Sequence, residues 1–239
     1  MRPKDVALVV AMQREVAPLL KGVRSHLAAG VELFELENAV VAVGGVGHAA
    51  ATRATEAVVA NYEPGIIVSA GLVGALTSKL KAGDVMHVRA VIEADSGARF
   101  VSTGGEGVLL TVSAVSGPAE KRALSQRWNA DVVDMEGAAV AAQAQRSGIT
   151  FSAMKAVSDE LDFVMPPLGK FVNDAGKFET LRFLAYIALR PKWWNDVRQL
   201  NVNSRKATMK LCAALQHLID QRSTPAARKS STATRVGQS

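Results

Sequence analysis

The sequence contains little cysteine and few aromatic residues. It has 239 residues, of which one is cysteine and 5% are aromatic. The single thiol, Cys212, excludes a disulfide framework and a cysteine-rich metal site within the chain. His26, His87 and His217 do not have the spacing of metal ligands, so we predict no metal ion and no cofactor.

Long hydrophobic runs are also missing. The longest apolar run, residues 65–76, contains three glycines and falls short of the roughly 18 residues that span a bilayer. The amino-terminal segment MRPKDVALVVAM is followed at once by Gln13, Arg14 and Glu15. We therefore interpret it as a first buried strand rather than a signal peptide, and we predict a cytoplasmic protein.

Most of the chain has no excess of positive charge. Residues 1–190 hold 19 basic and 20 acidic side chains, whereas residues 191–239 hold nine basic and two acidic ones. This balance argues against a nucleic-acid surface on the body of the protein, so we predict no nucleic-acid partner. Val236 is the only large apolar residue of 222–239, which predicts a disordered basic tail.

Short apolar runs alternate with segments of helical pattern. Residues 6–11 and 66–70 are typical of strands buried on both faces. Residues 14–21 and the alanine-rich segment 48–61 predict helices, and the glycines of 71–74 predict a turn. The alternation predicts an α/β fold, a three-layer α/β/α arrangement with a central mixed, mostly parallel twisted sheet flanked by helices.

Three acidic side chains are candidates for chemistry, and two of them, Glu15 and Asp159, are placed just after predicted strands, where ligands bind in such sheets. Taken alone, Glu15 is also compatible with a first-turn helix acid, and Asp159 with a helix N-cap. Glu136 begins an otherwise apolar, small-residue helix predicted over 136–146, which it could simply cap. A buried carboxylate there needs a partner, because burying an unpaired charge is costly.

Five segments, taken in order, carry a family resemblance. VALVVAMQREVAPLL, VVAVGGVGHAAA, IIVSAGLVGALTSKLKAGDV, DVVDMEGAAVA and FSAMKAVSDELD together resemble the nucleoside phosphorylase/nucleosidase superfamily. They are most similar to its branch of methylthioadenosine/S-adenosylhomocysteine nucleosidases. The resemblance covers about residues 5–163. It implies the fold of that superfamily, an enzyme that cleaves the N-glycosidic bond of a purine nucleoside or a 5′-modified adenosine, and a homo-oligomer such as a homodimer.

The resemblance also implies roles for individual residues. Glu15 matches the acid that positions or activates the attacking water, and Asp159 matches the acid that protonates the leaving purine, with Ser158 orienting it. Met135 and Glu136 match the pair that packs on the sugar and binds its hydroxyls. The other substrate-binding positions that the resemblance implies are Met12, Gly71, Leu72, Val73 and Ser113.

Two departures from the family pattern concern the nucleophile. Leu72 stands where relatives have a serine that helps to hold phosphate or water, and Ser69 stands where phosphorylases have a phosphate-binding arginine. Both departures favour hydrolysis. A phosphate-dependent phosphorylase, in which Arg14 supplies the missing cation, and a catalytically weak nucleoside-binding protein remain the alternatives. The segment expected to contact the base has no aromatic residue, and Phe100 or Phe163 could substitute.

The segment after residue 163 diverges from the family. We predict a single domain over 1–221, whose carboxyl-terminal helical part begins near residue 164. Trp193 and Trp194, with Lys192 and Arg198 beside them, resemble the aromatic and basic clusters that contact lipid headgroups. Two interpretations are open: a docked helix pair that covers the core or forms a dimer face, and a peripheral membrane contact, which a lipid-linked nucleoside substrate would explain.

Overall fold

The computed structural model describes residues 2–114, 117–164, 168–171, 173, 176 and 178–223. The predicted tail falls almost entirely outside these residues. Its first two positions, 222 and 223, continue the last helix. The single-domain span 1–221 stays a prediction.

One mixed sheet forms the centre of the described chain. Parallel pairing runs through β4, β1, β5 and β10 and also joins β6 to β8 and β8 to β9. The other neighbours, including β10 and β6, are antiparallel. Because β10 also pairs with β5, the strands β5, β10, β6, β8 and β9 close into a barrel-like ring. The strands are β1 Arg2–Val10, β2 Ser25–Ala28, β3 Val31–Glu35, β4 Ala39–Val43, β5 Tyr62–Ala75, β6 Val85–Glu93, β7 Arg99–Val101, β8 Gly107–Thr111, β9 Val132–Asp134 and β10 Thr150–Asp159.

Helices cover the sheet on both sides, which confirms the predicted three layers. Alanine-rich faces of α1 and α3 pack on one side with the inward side chains of β1, β4 and β5. The apolar side of α5 packs on the other side, where Leu211 and Leu215 are fully buried. The helices are α1 His48–Asn61, α2 Pro118–Trp128, α3 Gly137–Arg146, α4 Thr180–Ala188 and α5 Trp194–Ser223, with 3₁₀ turns at Gln13–Glu15, Leu168–Phe171 and Pro191–Trp193.

The helix predicted over 14–21 is wrong. Only the 3₁₀ turn Gln13–Glu15 forms, and turns continue to residue 22. The backbone bonds there join Leu19 to Val16 and Leu20 to Ala17, three residues apart. Pro18 explains the difference, because it has no N–H to donate to a carbonyl four residues earlier.

The turn predicted at 71–74 is also wrong, because these residues continue strand β5. Gly71 pairs with Lys155 of β10, and Gly74 pairs with both Asp159 and Val133. Neighbouring strands on both sides thus keep this glycine-containing segment extended. The result is that β5 reaches the same edge of the sheet as the ends of β1, β9 and β10.

Candidate active site

A cavity of about 170 Å³ lies at this edge of the sheet. Its wall combines the carboxyl ends of four strands with the 3₁₀ turn after β1 and the first residues around α3. It brings together eight of the ten predicted site residues: Met12, Glu15, Leu72, Val73, Met135, Glu136, Ser158 and Asp159. Residues far apart in the sequence therefore share one small space.

The two remaining predicted residues do not form its wall. Gly71 has no side chain, but its backbone lies against Glu15: a Cβ added there would be 3.3 Å from Oε2, at a φ of +151°. Ser113 is exposed and lies between Val112 and Ala114, which do line the cavity. The prediction that Ser113 binds substrate is therefore not supported by its placement.

The Glu15 carboxylate is buried at the end of β1. Its Oε2 accepts a hydrogen bond from the backbone N–H of Met12 at 3.1 Å, and its Oε1 accepts one from Leu72 at 3.4 Å. Burial raises the pKa of Glu15 above the ordinary value, and these two N–H groups and the Lys155 charge oppose that rise. A carboxyl group with a raised pKa is suited to accept a proton from water during a reaction.

The Glu136 carboxylate faces the cavity from the start of α3. Its Oε1 accepts a 2.7 Å hydrogen bond from the backbone N–H of Gly47, and its Oε2 accepts one from Met135. Burial, followed by the nearby charge of Asp134, raises the pKa of Glu136 to about 7. Although Glu136 occupies the N-cap position, its side chain makes no capping bond, so the interpretation as a helix cap is excluded.

Asp134 provides the cap and also binds a buried lysine. Its carboxylate accepts hydrogen bonds from the backbone N–H of Gly137 and from the Thr111 hydroxyl. The Lys155 ammonium lies 2.9 Å from Asp134 Oδ2 and donates to the Ser69 hydroxyl at 2.8 Å. This cation beneath the cavity lowers the pKa of both Glu15 and Glu136.

The Asp159 carboxylate ends strand β10 and is 4% exposed. It is part of a strand, so the interpretation as a helix N-cap is excluded. The Ser158 hydroxyl donates to Oδ1 at 2.7 Å, as the resemblance implies. The Lys121 ammonium forms an ion pair with Oδ2, and both side chains are buried.

Sequence reasoning missed three charged residues of this region. The sequence does indicate that Lys155 is unusual, because it is a lone cation inside the apolar run FSAMKAVSD. Asp134 belongs to the DMEG segment but precedes Met135 and Glu136, the two residues that match the family pair. Lys121 had no signal, because it lies in the polar helix PAEKRALSQRW and its acidic partner is 38 residues further along the chain.

A second, larger cavity of about 940 Å³ adjoins the first. The two share Arg14, Leu72 and Phe178 in their walls. Phe178 also lies under the Arg14 guanidinium, which is 5.4 Å from the ring centroid. The larger cavity is mostly apolar and lies between α4 and α5, with walls that include Phe183, Leu184, Ile187, Trp194, Val197, Leu200 and Met209.

Neither Phe100 nor Phe163 lines either cavity, so the aromatic residue nearest the site is Phe178. In the described parts of the chain, no three His, Cys, Asp or Glu side chains are placed to hold a metal ion together. Across those same parts, no helix is long and apolar enough to span a bilayer.

The fold has many solved relatives. The methylthioadenosine nucleosidase of Arabidopsis thaliana is 21% identical, with 93% of this chain and 97% of the relative covered and a TM-score of 0.72. The methylthioadenosine/S-adenosylhomocysteine nucleosidase of Helicobacter pylori is 17% identical, with 92% and 99% covered and a TM-score of 0.69. Futalosine hydrolase of Helicobacter pylori is also 17% identical, with 92% and 98% covered and a TM-score of 0.69.

Sequence comparison with curated proteins finds no match. The sequence does match the family described as the phosphorylase superfamily, over residues 5–113 and 96–178. The matched region is well over half of the chain and contains every predicted site residue. The fold agrees with those of the solved relatives named above. This chain therefore belongs to the phosphorylase superfamily.

Proposed function

We propose that this protein is a nucleosidase, which hydrolyses the N-glycosidic bond of a purine nucleoside or a 5′-modified adenosine. The observation that carries the proposal is the convergence of Glu15, Glu136 and Asp159 on one cavity of about 170 Å³. Cleavage of this bond builds positive charge on the ribose ring, which nearby carboxylates stabilise. The three carboxylates also differ in their partners, which suits three different tasks.

Glu15 is the proposed base for the attacking water. Two backbone N–H groups fix its carboxylate, so the remaining lone pairs can accept a proton from a water molecule. Its raised pKa increases the driving force for that transfer. The oxygen of the water then forms the new bond to the ribose C1′ as the bond to the base breaks.

Glu136 is the proposed ribose ligand. The Gly47 and Met135 N–H groups leave each carboxylate oxygen with a free lone pair for one of two vicinal hydroxyls. Met135 lies beside it in the cavity wall and can pack against the sugar. Asp159, held by Ser158 and Lys121, is the proposed group that transfers a proton to the leaving base.

Hydrolysis is favoured over phosphorolysis by the residues around the nucleophile. Leu72 supplies an apolar side chain to the cavity wall. The two buried cations of the site are already paired, Lys155 with Asp134 and Lys121 with Asp159. The three solved relatives named above carry the names of nucleosidases and a hydrolase. Arg14 is the observation that keeps a phosphorylase as the second candidate, because it is exposed and lines the cavity.

The larger cavity supports an apolar 5′ substituent on the substrate. Neither Asp159, which is proposed to contact the base, nor Glu136, which is proposed to bind the ribose hydroxyls, lines this larger cavity. C5′ is therefore the attachment point left for a group that occupies this cavity. A long alkyl or isoprenoid-like group fits its apolar walls better than the single methylthio group does.

A peripheral membrane contact beside this cavity is part of the proposal. Four large apolar side chains of this region are more than half exposed: Leu181, Leu184, Leu189 and Trp194. Arg190, Lys192 and Arg198 lie in the same segment, and such basic and apolar combinations bind anionic lipid surfaces. Leu184 and Trp194 also line the cavity, so a lipid-linked substrate could pass from the bilayer to the site.

Sedimentation with phosphatidylcholine vesicles, with and without phosphatidylserine, tests this contact. We expect co-sedimentation that increases with phosphatidylserine and is lost when Leu181→Ser and Leu189→Ser are combined. Val101→Ser is the matched control, because Val101 is 86% exposed and lies on strand β7, outside this segment. A protein that stays in the supernatant with both vesicles contradicts the contact. The homodimer and the cytoplasmic location stay predictions, the former open to light scattering coupled to gel filtration.

The activity is tested by incubating the protein with a panel of nucleosides, with and without phosphate, and separating the products by chromatography. The panel includes adenosine, inosine, 5′-methylthioadenosine, S-adenosylhomocysteine and a 5′-alkylthioadenosine with a long chain. We expect free base and free ribose derivative without phosphate. Ribose 1-phosphate formed only with phosphate would indicate the phosphorylase, and no free base from any member would indicate a binding protein.

A further inference from the structure

Lys121 is a cation in an unusual place. It is the one buried residue of the polar helix α2, and it is 1% exposed. Lysine is almost never fully buried unless its charge is paired. Its ammonium pairs with Asp159 and donates to the Glu160 carbonyl oxygen at 3.0 Å. Both partners lie at the end of β10, so the lysine side chain is directed at the candidate site.

The strand beside the pair leaves room for it. A Cβ added at Gly74 would lie 2.8 Å from Asp159 Oδ2 and 3.0 Å from Lys121 Cε. No larger residue fits at this position without displacing the pair. Gly74, Lys121 and Asp159 all line the cavity. The pair is therefore part of the site and not a contact behind it.

Both oxygens of Asp159 are engaged in this arrangement. Oδ1 accepts a hydrogen bond from Ser158, and Oδ2 pairs with Lys121. Oδ2 is therefore in direct contact with an ammonium group, which is a proton donor. Of the two donors, the Lys121 ammonium is the one that can release its proton to the carboxylate, because a serine hydroxyl is a far weaker acid.

We propose that Lys121 is a positioning residue that holds Asp159 in place and supplies the proton that Asp159 passes to the leaving base. This proposal rests on the proposed nucleosidase function. As the bond from C1′ to the purine breaks, its electron pair goes to the base. The base takes a proton from Asp159, and Asp159 takes one from Lys121, which becomes a neutral amine. Water forms the new C–O bond and gives a proton to Glu15, and solvent returns one proton from Glu15 to Lys121.

Because the proton comes from Lys121, we expect the site to stay active at alkaline pH. An ammonium group keeps its proton to a much higher pH than a carboxylic acid does. With Lys121→Met, Asp159 has to take its proton from solvent, which is available to it only toward acidic pH. With Lys121→Arg, the charge remains, but a guanidinium does not release a proton in proteins.

The test measures kcat and KM of these two variants on 5′-methylthioadenosine, or on the best panel substrate, between pH 5 and pH 9. We expect Lys121→Met to lower kcat about 100-fold at pH 8, the size of a general-acid contribution, and to recover most of it at pH 5. We expect Lys121→Arg to be equally slow at pH 8 and to stay slow at pH 5, because the guanidinium keeps Asp159 ionised. KM should change little in either variant.

A second substrate separates proton supply from structural support. The phenolate of 4-nitrophenyl β-D-ribofuranoside leaves without a proton, so both variants should cleave it within about threefold of the wild-type rate. Arg122→Met is the matched control, because Arg122 is the next residue of α2 and pairs with the exposed Asp162. Thermal melting confirms that each variant is folded.

Several outcomes would overturn the inference. Full activity of Lys121→Arg on the purine nucleoside would show that only the charge of Lys121 matters. Equal losses on both substrates at every pH would show a structural role. If the wild-type protein releases no base from any nucleoside, both the proposed nucleosidase function and this inference are rejected. If the wild-type protein is active and both variants are unaffected, the inference alone is rejected.

Discussion

The Lys155 ammonium lies 2.9 Å from the Asp134 carboxylate, and both side chains are buried beneath the three carboxylates of the cavity. This pair links the strand that ends in Asp159 to the turn that carries Met135 and Glu136. It also places a positive charge where it lowers the pKa of Glu15 and Glu136. The pair thus connects the stability of the fold to the protonation of the site.

Lys155→Met should destabilise the protein strongly. The substitution leaves the Asp134 charge buried without its cation, and breaking a buried pair in this way costs about 3–5 kcal/mol. Unfolding in urea, monitored by circular dichroism, measures the loss. Lys81→Met is the matched control, because Lys81 pairs with Glu160 at the surface and should cost no more than about 1 kcal/mol. Similar losses for both variants would contradict this account of the buried pair.

Glu136→Gln should make the stability of the protein less dependent on pH. The pKa of Glu136 is about 7 in the folded state and 4.5 for the unperturbed group, so between these values the folded state binds a proton that the unfolded state has released. Folding stability therefore falls as pH rises through this window, by about 3 kcal/mol when complete. Glutamine removes the effect.

Urea unfolding of wild type and Glu136→Gln at pH 5 and pH 8 tests this sign. We expect the variant to gain stability relative to wild type on going to pH 8. Asp84→Asn, at a turn where Asp84 accepts a bond from the exposed Lys81 N–H, controls for the loss of one surface carboxylate. A difference between wild type and Glu136→Gln that does not change with pH would reject the raised pKa.

Local patterns predicted the elements that local residues determine. Helix α1 begins at His48 and ends at Asn61, as predicted, because glycines precede it and its alanine-rich sequence continues without a break. Strand β5 was predicted too short, over 66–70, because its extension through Pro64 and Gly71 depends on pairing with β1 and β10. Those strands are distant in sequence, so the segment itself carries no sign of the pairing.

The site was predictable in its acids and not in its cations. Glu15, Glu136 and Asp159 lie at or shortly after the ends of strands and match a family pattern, so their convergence could be expected. Lys121 reaches Asp159 from a helix whose sequence resembles any solvated surface helix. Its burial follows from the way α2 packs on the closed ring of strands, which no local pattern encodes. The same holds for the larger cavity, since α4 and α5 form its walls only after they pack together.

Asp159→Asn should abolish most of the proposed nucleosidase activity. Asparagine keeps the size of the side chain but cannot pass a proton to the leaving base, so we expect kcat to fall about 100-fold to 10,000-fold. Chromatography of the released base measures the loss. Asp162→Asn is the control, because Asp162 is three residues away and exposed. Turnover of Asp159→Asn close to that of wild type would reject the role of Asp159.

The larger cavity predicts a preference for long apolar 5′ substituents, and a side chain that fills it should remove that preference. Each methylene buried in the cavity contributes about 0.8 kcal/mol, so kcat/KM of the wild-type protein should rise about fourfold per methylene along a series of 5′-alkylthioadenosines until the cavity is full.

Ser204→Trp places an indole in the cavity wall, on helix α5. It should lower kcat/KM for the long-chain members by tenfold or more, on the order of two to three lost methylenes, and leave 5′-methylthioadenosine within about threefold. Val202→Trp on the same helix is the control, because Val202 is 54% exposed and lies outside the cavity wall. A wild-type protein whose kcat/KM does not depend on chain length would show that the substrate ends at the smaller cavity and that the larger one has another occupant.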